Sequence, residues 1–288
     1  MPRHYKKLVK SCYESIYLDL YKIRVKYIRF SIDMSKSNWF MPFKYNTNSY
    51  IRLFCFHYGG GSTSAYREWP KDLIDNADLV AIQLPGRENR FSEPLVNTVS
   101  EIVNQLSLDF NDYLDKPCVF FGHSIGALIA FEFARILRKN KIPQIKHLII
   151  SGTKAPQVPL KRAPIHHLPD SELIEKIRQY NGIPNYILED KELMAIFLPI
   201  IRADFCVSET YSYNDEQPLA CPITALGGLD DNTFDSNDLL KWQEQTNSSF
   251  EHQLLPGDHF FIKSSYQEVI NTVNKVLYNE ITKFVTIN

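Results

Sequence analysis

Near the middle of the chain, Gly122-His123-Ser124-Ile125-Gly126 joins a short apolar run, PCVFF (117–121), to a longer one with helical spacing, IGALIAFEFARILRK (125–139). A serine with glycines two places before and after it, entered from a strand and left into a helix, is the pattern of a nucleophile elbow. The sharp turn lifts the Ser124 hydroxyl clear of the backbone, and Gly122 and Gly126 leave room for the turn and for close approach of helix and strand. The next N–H, that of Ile125, opens the helix and points to where negative charge would develop on a reacting carbonyl.

An elbow of this kind needs a parallel sheet around it, and the flanking sequence supplies one. Strands are expected at IRLFCF (51–56), LVAIQL (79–84), PCVFF, HLIIS (147–151), PITALGG (222–228) and FEHQLLPG (250–257). Helical spacing is seen at 96–114, 125–139 and about 265–284. Short apolar strands alternating with helices predict an α/β fold, with a mostly parallel central sheet covered by helices on both faces. Residues 156–217 break the alternation. They contain helical patterns such as PDSELIEKIRQY, which Asp170 or Ser171 is expected to cap, and ELMAIFLPIIRADF, which Pro199 is expected to interrupt. A helical insertion of this size between two strands is expected to be a lid.

A serine hydroxyl needs a base, and in this chain order the base is a histidine near the C-terminus that follows an acid. Of the eight histidines, His259 fits: it sits in the loop Pro256-Gly257-Asp258-His259, after the last strand and before the last helix. His57 and His123 neighbour the site but precede the acid, and both are expected to be packed or solvated. The acid should follow PITALGG, where Asp230 and Asp231 are adjacent, and spacing does not choose between them. His57-Tyr58-Gly59-Gly60-Gly61 follows the first predicted strand as a glycine-rich loop. Its backbone, at Tyr58 or Gly59, is expected to supply a second oxyanion donor.

Composition excludes other classes. Lys+Arg is 32 against 33 Asp+Glu, so no basic field points to nucleic acid. No apolar run reaches membrane-spanning length. Cys12, Cys55, Cys118, Cys206 and Cys221 are scattered, with no metal-ligand spacing, and are expected to be reduced core residues. Residues 1–33 differ from the rest: they form an amphipathic, Lys/Arg- and Tyr-containing segment with no secretory signature, ending just before Met34. They are expected to be a dispensable extension or the product of a start upstream of Met34, leaving 34–288 as the catalytic domain.

Several separate blocks, in order, resemble the type II thioesterases, the stand-alone editing enzymes of nonribosomal peptide and polyketide synthases. They are WFMPF (39–43), RLFCFHYGGGSTSAYREW (52–69), QLPGRENRFSEPL (83–95), FGHSIGALIAFEFAR (121–135), SGTKAP (151–156), LPIIRADF (198–205), PLACPITALGG (218–228) and PGDHFF (256–261). The resemblance implies an α/β-hydrolase fold with a helical lid over a channel for a phosphopantetheine arm. It maps the nucleophile to Ser124, the base to His259 and the acid to Asp231. It further implies hydrolysis of aberrant acyl groups from carrier domains in a cytoplasmic enzyme, expected to be monomeric and to need no metal or free cofactor beyond the substrate's own phosphopantetheine. Lys154, Lys161, Arg162 and Arg202 are candidate contacts for an acidic carrier domain. Three departures stand out: His57 and Gly59 replace Pro and Ala, Ile125 replaces Met, and Asp258 precedes the base where Gly is usual. Asp258 is expected either to act on His259 or to face solvent. The rival readings are a general esterase or acyl-CoA hydrolase of the same fold, an acyl transferase, and a non-catalytic carrier-binding protein.

Overall fold

The structure is a computed structural model describing residues 37–142, 145–180, 182–183 and 185–287. The expectations for residues 1–33, Met34, His4 and Cys12 lie outside the described residues.

Seven strands form one sheet: β1 (Phe40–Lys44), β2 (Ile51–Phe56), β3 (Ala77–Ile82), β4 (Cys118–His123), β5 (His147–Ser151), β6 (Ile223–Gly228) and β7 (Phe250–Leu255). Their order is β1-β3-β2-β4-β5-β6-β7. All neighbours are parallel except β1, which runs antiparallel to β3. β1 was not expected, because a five-residue strand with Pro42 at its centre carries little alternation. Its edge position explains the tolerance, since a proline on the outer strand costs no ladder bond inside the sheet. β3 also lies two residues earlier than the apolar run suggests, freeing the Gln83 side chain to bond the Thr63 N–H at 3.0 Å.

The six residues of β2 are all buried because both faces of the sheet are covered. On one face Leu53, Cys55, Leu79, Val119 and Phe121 pack with Tyr66, Trp69 and the C-terminal helix α8 (Tyr266–Ile287), through Val269, Ile270 and Val273. On the other, Phe54 and Phe120 meet Phe110, which follows α1 (Val99–Asp109), and Phe133 of α2 (Ile125–Lys139). The alternation of side chains along each strand thus supplies two cores from one sheet. Cys55, Cys118 and Cys221 are buried in this interior.

Between β5 and β6 lie α3 (Asp170–Arg178), α4 (Asn185–Leu188) and α5 (Lys191–Glu209), with no strand among the described residues of 156–217. They carry their own apolar cluster, including Leu173, Ile177, Leu188, Met194, Leu198 and Ile201. Two local features differ from the sequence expectation. Pro169, not Asp170 or Ser171, is the N-cap of α3. Asp170 is the first helical residue and turns to Arg202 at 2.6 Å. Pro199 does not interrupt α5, which continues through it. A proline removes one helical N–H, but the buried stripe Met194, Leu198 and Ile201 holds the turns on either side against the insertion's own apolar cluster. The remaining short helices are α6 (Ser236–Leu240) and α7 (Phe261–Ser264).

Candidate active site

β2, β4, β6 and β7 all end at the same edge of the sheet, so the loops that follow their C-terminal ends converge there. At the elbow Ser124 has φ 57° and ψ −122°, a backbone state rarely adopted by a residue with a side chain. It is held there from both sides: Ser124 N–H donates to the Ser151 carbonyl at 2.8 Å, and its own carbonyl accepts from Ala127 at 3.0 Å. The flanking glycines serve close packing. A Cβ on Gly126 would collide with the Phe56 and His57 carbonyls, and one on Gly122 with the backbone of Gly126 and Ala127.

His259 Nε2 lies 3.0 Å from Ser124 Oγ, and His259 Nδ1 lies 2.8 Å from Asp231 Oδ2. Because a carboxylate only accepts, Nδ1 carries the proton and Nε2 is left to accept from the serine hydroxyl. Of the two candidate acids, Asp230 is exposed, whereas the Asp231 side chain is fully buried against the histidine. Burial by itself would raise the Asp231 pKa. The hydrogen bond and charge of His259 and two bonds from Thr233 outweigh it, leaving Asp231 below the ordinary carboxylate value and therefore ionised. Thr233 N–H and Oγ1–H both donate to Asp231 Oδ1, at 2.9 and 2.7 Å. The Asp258 Oδ1 accepts the Phe260 N–H at 2.8 Å.

The Ile125 N–H is the first of α2 and has no intrahelical acceptor. In the glycine loop, Gly60 N–H donates to Asp204 at 2.7 Å and Gly61 N–H to the Tyr58 carbonyl at 3.0 Å. Of the loop positions in the cavity wall beside Ser124 and Ile125, Tyr58 and Gly59 have N–H groups with no acceptor among the described residues. A methyl on Gly59 would sit 3.6 Å from Ile125 Cγ2, an ordinary contact, so glycine here is not a steric necessity.

His57 and His123 are both packed inside the protein. His123 Nε2–H donates to the His259 carbonyl at 2.9 Å, and its Nδ1 accepts from Ser151 Oγ at 2.8 Å, so the elbow histidine braces the main chain of the base. Burial, reinforced by the charge of His259, pushes the His123 pKa down to about 3. Burial and the Arg87 charge push His57 down to about 4. Both are thus neutral in the fold, whereas the unfolded chain protonates them near pH 6.5. Below that value the unfolded state binds more protons, so stability falls with acidification until the folded values are reached. Each histidine contributes a slope of about 1.4 kcal/mol per pH unit. Denaturant unfolding between pH 7.5 and 4.5 should show a steep loss of stability; a flat profile down to pH 4.5 would contradict neutral burial of these rings.

A cavity of about 440 Å³ opens at Ser124 and His259, within the usual range for small-ligand sites. Leu128, Ile177, Ile201 and Phe205 contribute apolar wall, and Lys154 and Arg162 also line it. None of the four candidate docking cations is without a partner. Lys154 bonds the Val158 carbonyl, Lys161 pairs with Asp238, Arg162 with Glu209 and Arg202 with Asp170.

Residues 51–277 match the family model described as "Thioesterase domain". The chain belongs to the thioesterase family. Its α/β-hydrolase architecture, inferred from the sequence blocks, agrees with that of its solved relatives. This thioesterase is 41% identical to the gramicidin S biosynthesis protein GrsT of Aneurinibacillus migulanus over 84% of its own chain and 94% of the relative. It resembles the structure of RedJ, the thioesterase of the prodiginine pathway in Streptomyces coelicolor, with a TM-score of 0.75 and 33% identity, covering 79% of this chain and 86% of RedJ. It also resembles the type II thioesterase BorB from the borrelidin biosynthetic cluster, with a TM-score of 0.76 and 30% identity, covering 83% and 97% of the two chains.

No helix among the described residues is long and apolar enough to cross a membrane. Two positions that bond residues of the site, Thr233 and Asp204, carry no functional motif of their own in the sequence. Asp204 lay inside a block carrying the family resemblance, and Thr233 had no distinguishing signal.

Proposed function

We propose that this thioesterase clears aberrant or stalled acyl groups from the phosphopantetheine arm of carrier domains in a peptide or polyketide synthase. The observation carrying the chemistry is the hydrogen-bonded series Ser124–His259–Asp231, with both bonds at 2.8–3.0 Å and the serine open to the cavity. Ser124 Oγ attacks the thioester carbonyl carbon as its proton passes to His259 Nε2. Negative charge on the carbonyl oxygen is met by the N–H groups of Ile125 and of Tyr58 or Gly59. The C–S bond breaks, and the departing pantetheine sulfur takes the proton from His259. Water, deprotonated by the same nitrogen, then attacks the acyl-serine ester and returns Ser124 to its hydroxyl form. Asp231 keeps the proton on Nδ1 and stabilises the imidazolium. None of these steps calls for a metal or a free cofactor.

The carrier-domain substrate is supported by the pathway relatives, including GrsT, RedJ and BorB. Its test is a comparison of kcat/KM for acetyl-loaded carrier protein, acetyl-CoA and p-nitrophenyl acetate. The carrier-bound thioester is expected to lead. A clear preference for the oxygen ester, with the carrier left loaded, would overturn the reading in favour of a general esterase.

A further inference from the structure

The strongest structural feature outside the reacting groups is a buried joint between the lid and the glycine loop. Asp204, on lid helix α5, and Arg87, in the loop after β3, are both nearly inaccessible, at 2% and 4% exposure. They form two parallel bonds: Nη1 to Oδ2 at 2.7 Å and Nη2 to Oδ1 at 2.8 Å. Asp204 Oδ2 also accepts the Gly60 N–H at 2.7 Å, and Arg87 Nη1 donates to the Gly61 carbonyl at 3.1 Å. Gly60 is held at φ +71° between these anchors. The segment carrying Arg87 grips the next residues as well. Gln83 accepts from Thr63 N–H, while Glu88 accepts from Ser62 Oγ at 2.7 Å and Thr63 Oγ1 at 2.8 Å.

A buried ion pair of this kind has little net value for stability, because desolvation offsets the attraction. Its directional value is larger. The two cavity-lining loop N–H groups without an acceptor among the described residues, Tyr58 and Gly59, immediately precede the clamped glycines, and oxyanion donors act only when held in place before the charge develops. Asp204 Cβ would lie 3.6 Å from a Cβ on Gly59, so the lid residue also packs against the donor position.

We propose that Asp204 and Arg87 are positioning residues that make the oxyanion loop depend on the lid helix: the hole is formed while α5 presents Asp204 to Gly60. This rests on the serine-thioesterase reading above. Lid displacement would then withdraw the Gly60 acceptor and loosen the donors, so the lid would govern the chemical step as well as access.

The test uses two double variants that both remove the ion pair without leaving an isolated buried charge. Arg87→Met/Asp204→Leu deletes the Gly60 acceptor, whereas Arg87→Met/Asp204→Asn retains an amide oxygen for it. Folding of each is checked by thermal unfolding and circular dichroism. Hydrolysis of acetyl-loaded carrier protein is then measured together with inhibition by an alkyl trifluoromethyl ketone. Addition of Ser124 to that ketone places an oxyanion in the hole, with the serine proton on His259. The leucine variant is expected to lose about 100-fold in kcat, with a much smaller change in KM and a parallel loss of ketone affinity. The asparagine variant is expected to recover most of both. Folded variants with equal kcat and equal ketone affinity would overturn the joint, as would a kcat loss without an affinity loss. Wild-type enzyme lacking Ser124-dependent hydrolysis would instead overturn the thioesterase reading, and the joint with it.

Discussion

Ser124→Ala is expected to abolish hydrolysis of an acyl-loaded carrier, lowering kcat by about 10⁴- to 10⁶-fold while the fold and carrier binding persist. The substitution removes only Oγ, and the elbow itself is held by backbone bonds from Ser124 N–H to Ser151 and from Ala127 to the Ser124 carbonyl. Alanine also relieves no collision, since the backbone strain at φ 57° belongs to the turn. Release of free thiol from the carrier is the measurement, with a fluorophosphonate probe as a second readout. Labelling of the wild type that disappears in the variant identifies Ser124 as the nucleophile. Retained hydrolysis at more than about a hundredth of the wild-type rate would rule that out, because the oxyanion hole and binding alone leave only a small residue of activity.

The second large effect is expected from Asp231→Asn, at about 10⁴-fold in kcat with KM nearly constant. The local bonds explain why an isosteric change is so costly. Thr233 donates twice to Oδ1, so the new amide places its oxygen toward Thr233 and its NH₂ toward His259. Facing a donor, His259 Nδ1 must give up its proton and accept, which moves the proton to Nε2. That nitrogen then points an N–H at Ser124 Oγ, 3.0 Å away, and cannot take the serine proton. The Ser124→Ala/Asp231→Asn double variant should be no slower than Ser124→Ala, since the three groups act as a unit. A further drop in the double variant, or a single-variant loss below tenfold, would place Asp231 outside the proton path.

These outcomes depend on features with very different visibility in the chain. Local patterns carried much of the architecture: β2 and β5 lie where apolar runs place them, and α2 begins at Ile125 and ends at Lys139 as its spacing indicates. β1 escaped because Pro42 disguises a short edge strand. The local penalty of Pro199 is visible in the chain, whereas the apolar cluster that offsets it is assembled from α3, α4 and α5 together. For the acid, spacing left Asp230 and Asp231 equal. The family resemblance favoured Asp231, and the structure shows the physical difference: one side chain is exposed and the other sealed against His259 and Thr233.

The sequence by itself determined the elbow, the chain order of serine, acid and histidine, the α/β class and the place of the helical insertion. Each is written in contiguous residues whose turn chemistry or periodicity acts locally. Only the tertiary structure decided that Thr233 bonds Asp231, that His123 braces the main chain of His259, and that Arg87 meets Asp204 across 117 residues to clamp Gly60. Such partners are chosen by burial and direction. An unpaired charge or carbonyl in the interior is costly, and which group satisfies it depends on the loops that the folded sheet brings to the same edge.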